Sequence, residues 1–146
     1  MKIDELQEQL RGIYNSLPPK QRWEASEKTG HHRYWILQAV SDGRKSKIDT
    51  LARAADAMGY KVELSIGDEW TDCDGVRRKI TEKVLACGTS MIKISLKMGY
   101  RGATVNQMLR NNVTANKGKV KYEFMEDLAG VLGYRLDIRL TKKEDA

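Results

Sequence analysis

The side chains able to do covalent or metal chemistry are few in this chain and poorly placed for it. His31 and His32 are its two histidines; neighbours on a helix point about 100° apart, which makes a poor chelating pair. Cys73 and Cys87 lack any CxxC or Cys/His cluster and read as ordinary reduced thiols. No Ser/His/Asp set, paired-carboxylate motif, Walker loop or HExxH occurs, and Gly99, Gly102 and Gly118 form no phosphate-cradling loop. The reading is therefore of a protein that is not an enzyme and needs neither metal nor cofactor. What remains is hydrogen-bonding chemistry. Arg101, Thr104, Asn106, Gln107, Arg110 and Asn111 crowd carboxamides, a hydroxyl and guanidinium groups into one short stretch. Such groups bond partners that present donors and acceptors side by side.

A chain of 146 residues can form one domain or two small ones with a real core. It has no run of about 18 apolar residues. Its first residues, MKIDELQEQL, are acidic where a signal peptide is basic and then apolar. A cytoplasmic protein without membrane contact is expected. The formal net charge is +6 and is spread unevenly. Residues 67–77 carry 1 basic and 4 acidic groups, whereas residues 78–143 carry 14 and 5. A basic C-terminal half points to a polyanionic partner, nucleic acid first, with a solvated basic face as the plain alternative.

Compared with itself, the chain shows a duplication. LARAADAMGYKVELSI (51–66) matches MEDLAGVLGYRLDIRL (125–140) at a constant offset of 74, aligning Gly59-Tyr60 with Gly133-Tyr134. Each copy ends as a helix stopped by Gly and followed by a strand of period two, Val62, Leu64 and Ile66 in one and Leu136, Ile138 and Leu140 in the other. The opposite strand face shows Lys61, Glu63 and Ser65. Lone amphipathic strands are unstable, so these two should pair with each other or with a second chain.

Upstream, Ile3, Leu6, Leu10, Ile13, Tyr14 and Leu17 recur at helical spacing until Pro18-Pro19, and another helix starts near Lys20. In the second copy Asp74 or Gly75 should precede a helix carrying Val76, Ile80, Val84 and Leu85, with Thr89 or Ser90 capping the next. The expected organisation is an N-terminal unit at 1–66, an acidic linker at 67–75 and a C-terminal unit at 76–146.

The spacing is most specific in IKISLKMGYRGATVNQMLRNN (92–112). Gly99 has Ser95 four residues before it and Val105 six after; in the first copy Gly30 has Ser26 and Ile36 at the same distances. Two helices meeting steeply need a residue free to turn, a small residue at the close contact and a branched apolar anchor. Thr29 and His31 stand where the second copy has Met98 and Tyr100, and a five-residue insertion in the second copy is placed in 113–119.

On these residues the chain resembles the lambda-repressor-like, Cro-type helix-turn-helix family, twice over. The resemblance implies a mainly helical fold of two tandem helix-turn-helix units, each closed by a short C-terminal β-strand. It implies double-stranded DNA as the partner and a phage or bacterial transcriptional repressor as the function. The second helix of each motif is then the recognition helix in the major groove. In the second copy Arg101, Thr104, Asn106, Gln107, Arg110 and Asn111 would face the DNA, with Lys97, Lys93, Lys117, Lys119 and Lys121 at phosphates. In the first copy the outward set is His32, Arg33, Tyr34, Leu37, Gln38 and Ser41, with Arg44 and Lys45 after the helix. Arg33, Gln38, Arg44 and Lys45 suit DNA, but Tyr34, Trp35 and Leu37 are bulky, and a protein-facing or dimerising surface competes there. The alternative function is a protein-binding module on this scaffold, such as an antitoxin or a phage-encoded, anti-CRISPR-type inhibitor of a host defence nuclease. RNA binding lacks an interleaved aromatic stacking platform.

Overall fold

Leu6, Leu10 and Tyr14 follow one another at four-residue steps, and all three are buried along one side of α1 (Ile3–Ser16). This is the start of a mainly helical chain whose computed structural model describes residues 1–102, 104–113 and 121–144, the side chains of 110–113 excepted. Pro19 opens α2 (Pro19–Lys28), where its missing N–H costs nothing. Then come α3 (Trp35–Val40), α4 (Ile48–Ala57) and strand β1 (Tyr60–Ile66). After β1 run β2 (Glu69–Thr71), α5 (Cys73–Ala86), α6 (Met91–Lys97), α7 (Thr104–Val113), α8 (Tyr122–Val131) and β3 (Leu136–Lys142). Among the described residues no helix is long and apolar enough to cross a membrane.

The strands form one antiparallel sheet of order β2-β1-β3, so the equivalent strands of the two copies are paired. The chain divides into two compact units, Met1–Glu63 with Ile138–Ala146, and Leu64–Asp137. Each unit therefore borrows half a strand. In the first, the Lys143 N–H donates to the Gly59 carbonyl at 2.9 Å and the Arg139 guanidinium reaches Glu63 at 3.0 Å. In the second, the Gly67 N–H donates to the Arg135 carbonyl at 3.4 Å. The boundaries read from sequence, 1–66 and 76–146, differ from this division because a seven-residue strand takes its neighbour from wherever the chain supplies one. The reassignment also removes the basic half: the first unit holds 14 basic and 11 acidic residues and the second 12 and 9, each +3.

Residues 67–75 are structured rather than an open linker. Gly67-Asp68 is a two-residue hairpin turn with Gly67 at φ +67°, and Ile66 faces Glu69 across it. Lys79 of α5 bonds the Glu69 carboxylate and holds it below the usual carboxylate range. Helix α5 begins earlier than the sequence suggests, at Cys73, because Asp72 is its cap and accepts the Gly75 N–H at 2.6 Å. A side chain at Gly75 would place its Cβ 2.0 Å from the Thr71 Oγ1, so only glycine lets β2 run this closely into the helix. Asp72→Ala should therefore lower stability by about 0.5–2 kcal/mol in a urea titration, with the slope unchanged. Ser65, on the face of β1 opposite Val62, Leu64 and Ile66, is buried, whereas Lys61 on that face is exposed.

The first unit packs Leu6 and Leu10 with Ile36, Val40, Leu51, Ala54 and Ala55 in its core. Helix α1 also closes the end of α3: Gln7 Nε2 donates to the carbonyls of Ser41 (2.9 Å) and Arg44 (2.7 Å), and Arg11 Nε to that of Val40 (2.9 Å). In the second unit Val76, Ile80, Ile94, Val105, Met125 and Leu128 form the core. Ser90 caps α6 by accepting the Lys93 N–H at 3.2 Å. The insertion placed in 113–119 lies, apart from the backbone of Val113, outside the described residues.

Candidate nucleic-acid interface

Gly99 and Gly30 have the same backbone conformation, φ +81° in both, a region that costs any other residue about 1–2 kcal/mol. Each stands between a first helix and a second. In the second copy the buried Ser95 hydroxyl accepts the backbone N–H of Val105 at 3.0 Å; in the first, the buried Ser26 hydroxyl accepts that of Ile36 at 3.3 Å. The same bond, spanning ten residues, thus satisfies an otherwise unpaired N–H at the start of α7 and of α3. The size limit at Ser26 and Ser95 and the need for Ile36 and Val105 follow directly: the hydroxyl must reach across the turn while the anchor fills the core beneath it.

The paired glycines, serines and anchors align the two motifs at an offset of 69, which brings their surfaces into register. On the second unit, Asn106 and Gln107 are exposed on α7, Lys97 is exposed at the end of α6, and Thr104 is half-buried as the first residue of α7. Arg101 is exposed in the turn before the helix, where its carbonyl accepts the Thr104 N–H at 3.0 Å. Arg110 and Asn111 belong to the backbone of α7, and their side chains lie outside the described residues. Gly102 sits under Ile92 of α6: a Cβ there would lie 3.2 Å from the Ile92 Cγ2. Two adjacent carboxamides thus project from α7, with Lys93 and Lys97 exposed on the helix before it.

The first unit presents a different surface at the same register. Helix α3 has 6 residues against 10 in α7, and His32, Arg33 and Tyr34, expected on its outward face, precede it. The His32 ring accepts the Tyr34 N–H at 3.2 Å and its carbonyl accepts that of Trp35 at 3.0 Å, the turn that Arg101 and Thr104 also make, so α3 and α7 start at equivalent positions and α3 is shorter at its C-terminal end. Arg33 lies over the Trp23 ring at 4.7 Å, at the register where Gly102 meets Ile92. His31 stacks on Trp35 at 4.6 Å and 7°. Gln38 is exposed on α3. Arg44 and Lys45 line an open groove of about 500 Å³ with Arg11, but Asp4, Glu8 and Asp42 share it, so its charge is balanced. Of the expected DNA-facing residues, those of the second unit are brought together on one motif, whereas Arg33, Gln38, Arg44 and Lys45 are spread over a turn, a helix and a loop. The offset of 69 sets Trp23 and Glu24 against Ile92 and Lys93.

Among the described residues no group of three or more His, Cys, Asp or Glu side chains is placed to hold a metal ion. No family model, curated protein or solved structure matches the chain.

Proposed function

We propose that the chain is a protein of two tandem, lambda-repressor-like helix-turn-helix units that binds double-stranded DNA sequence-specifically, and that it acts as a phage or bacterial repressor by occupying an operator. The observation that carries this reading is the α6–Gly99–α7 arrangement, in which the Ser95–Val105 bond fixes a helix whose exposed Asn106 and Gln107 stand beside one another. Carboxamides are the side chains that bond adenine through two atoms at once. Lys97 and Arg101, exposed on either side of the turn, suit phosphates.

The test is anisotropy of the full chain with random duplex DNA at two salt concentrations, followed by selection of bound sequences. Affinity should fall by about 0.9 logarithmic units per phosphate contact for each tenfold rise in salt. A selected sequence should bind at least roughly 10³-fold more tightly than the random pool. Binding with no sequence preference, or none at low salt, overturns the proposal. The second reading, a protein-binding module of the antitoxin or nuclease-inhibitor type, is favoured by one observation, the exposed Trp23, Tyr34 and Leu37 of the first unit. In that case the chain binds no duplex under any of these conditions.

A further inference from the structure

Gly102 precedes α7 by two residues, and its backbone lies outside the left-handed region, so conformation does not demand glycine there. The space a side chain would take is held by Ile92 of α6: a Cβ at Gly102 would have three Ile92 atoms as its nearest neighbours, at 3.2, 3.8 and 3.9 Å. Ile92 and Gly102 are ten residues apart, as are Ser95 and Val105, whose hydrogen bond fixes α6 against α7 three residues further along each. Ile92 is thus held across the start of α7, yet 59% of it stays exposed. In the first unit the same two places hold Trp23 and Arg33, a guanidinium over an indole. The two copies share the turn and its serine bond, and differ in what they present at this point, an apolar surface in the second and a cluster of N–H donors in the first.

We infer that Ile92 is a specificity-determining residue of the second unit and reads the 5-methyl group of a thymine; the inference rests on the proposal that α7 binds duplex DNA. In the major groove an A·T pair shows adenine's acceptor and donor, then thymine's carbonyl and methyl, so it asks for a carboxamide and an apolar surface side by side. Asn106 and Gln107 supply the first, exposed on α7 four and five residues after Gly102, and Ile92 supplies the second at the beginning of the same helix. Lys93 and Lys97, exposed on α6, supply the positive charge that draws this helix to a phosphate backbone although its outer side is partly apolar. Contact between isoleucine and methyl removes apolar surface from water on both sides. Cytosine at that place would instead bring its amino donor against Ile92 and leave it without an acceptor.

The test is anisotropy of the full chain on its selected duplex, with each thymine in turn replaced by deoxyuridine, which pairs as thymidine does and lacks only the 5-methyl group. At least one replacement should weaken binding roughly fourfold, the effect of losing about one methyl group's burial. Ile92→Ala should bind the two forms of that duplex alike. Leu96→Ala, at a site as exposed and one turn along α6, should still discriminate between them as the parent chain does. Both side chains are exposed, and circular dichroism should be unchanged. A selected duplex that is bound tightly but indifferent to every replacement overturns the inference and leaves DNA binding standing. A thymine whose methyl still matters to Ile92→Ala, or matters no longer to Leu96→Ala, overturns it as well. A chain that binds no duplex removes the DNA-binding proposal and the inference with it.

Discussion

Gln107→Ala and Asn106→Ala are each expected to cost about 1–3 kcal/mol of binding to the preferred duplex while changing binding to scrambled duplex much less. The expectation rests on geometry. Both side chains are exposed on α7, in consecutive positions about 100° apart, and the helix beneath them is anchored by Val105 and Leu109, which are buried. Truncating either carboxamide removes a donor and an acceptor together and leaves the fold untouched, so the loss appears only where a base had used them. Lys97→Ala is the internal comparison. Its ammonium is exposed at the end of α6, and a phosphate contact there weakens all sequences alike and lowers the salt slope by about one unit. The measurement is anisotropy of the three variants on specific and scrambled duplexes. Equal losses on both duplexes for Asn106→Ala and Gln107→Ala would remove their base-reading role.

Ser95→Ala is expected to destabilise the second unit by about 1–3 kcal/mol, and Ser26→Ala the first by a similar amount. Alanine fits the space, so no overpacking arises. What is lost is the acceptor for a buried backbone N–H, that of Val105 or of Ile36, and no water reaches the site because both serines are fully buried. Leaving such a donor unpaired costs more than the net contribution of an ordinary hydrogen bond. The bond at Ser95 is the shorter, 3.0 Å against 3.3 Å, so the larger loss is expected there. Urea unfolding with slopes unchanged from the parent chain reads the effect. Because the bond also holds the start of α7, Ser95→Ala should weaken specific DNA binding although it touches no base. A variant as stable as the parent would show that the turn is held by its glycine and apolar anchors alone.

The parts of this protein legible in its sequence are those whose cause is local. Leu6, Leu10 and Tyr14 announce α1 because a helix returns to the same side every 3.6 residues, and Pro18-Pro19 must end it. Ser90 caps α6 as its position ahead of an apolar run suggests. The Ser, Gly and branched-residue spacing marks both turns, since a close helix contact tolerates few residue types at each of those places. Position alone also marks the candidate site of the second unit, because outward residues follow from the inward ones by helical geometry.

The parts that only the tertiary structure decided depend on distant partners. EWT (69–71) is too short to show a period of two, and it becomes β2 because Gly67-Asp68 folds it back onto Leu64, Ser65 and Ile66. The turn signal was present in that dipeptide, but the acidic composition around it reads equally well as a linker. Ser65 is polar in sequence and buried in the fold, which its alternation with Leu64 and Ile66 does not announce. The charge surplus of the C-terminal half dissolves because its last residues, among them Arg139 and Lys143, complete the first unit. Amino-acid order determined which elements form and where each turns, since those choices are made within a few residues. The two amphipathic strands called for a partner, each other or a second chain, and the fold took the first, a pairing between residues about 75 positions apart; which residues share a unit follows from that pairing and not from chain order.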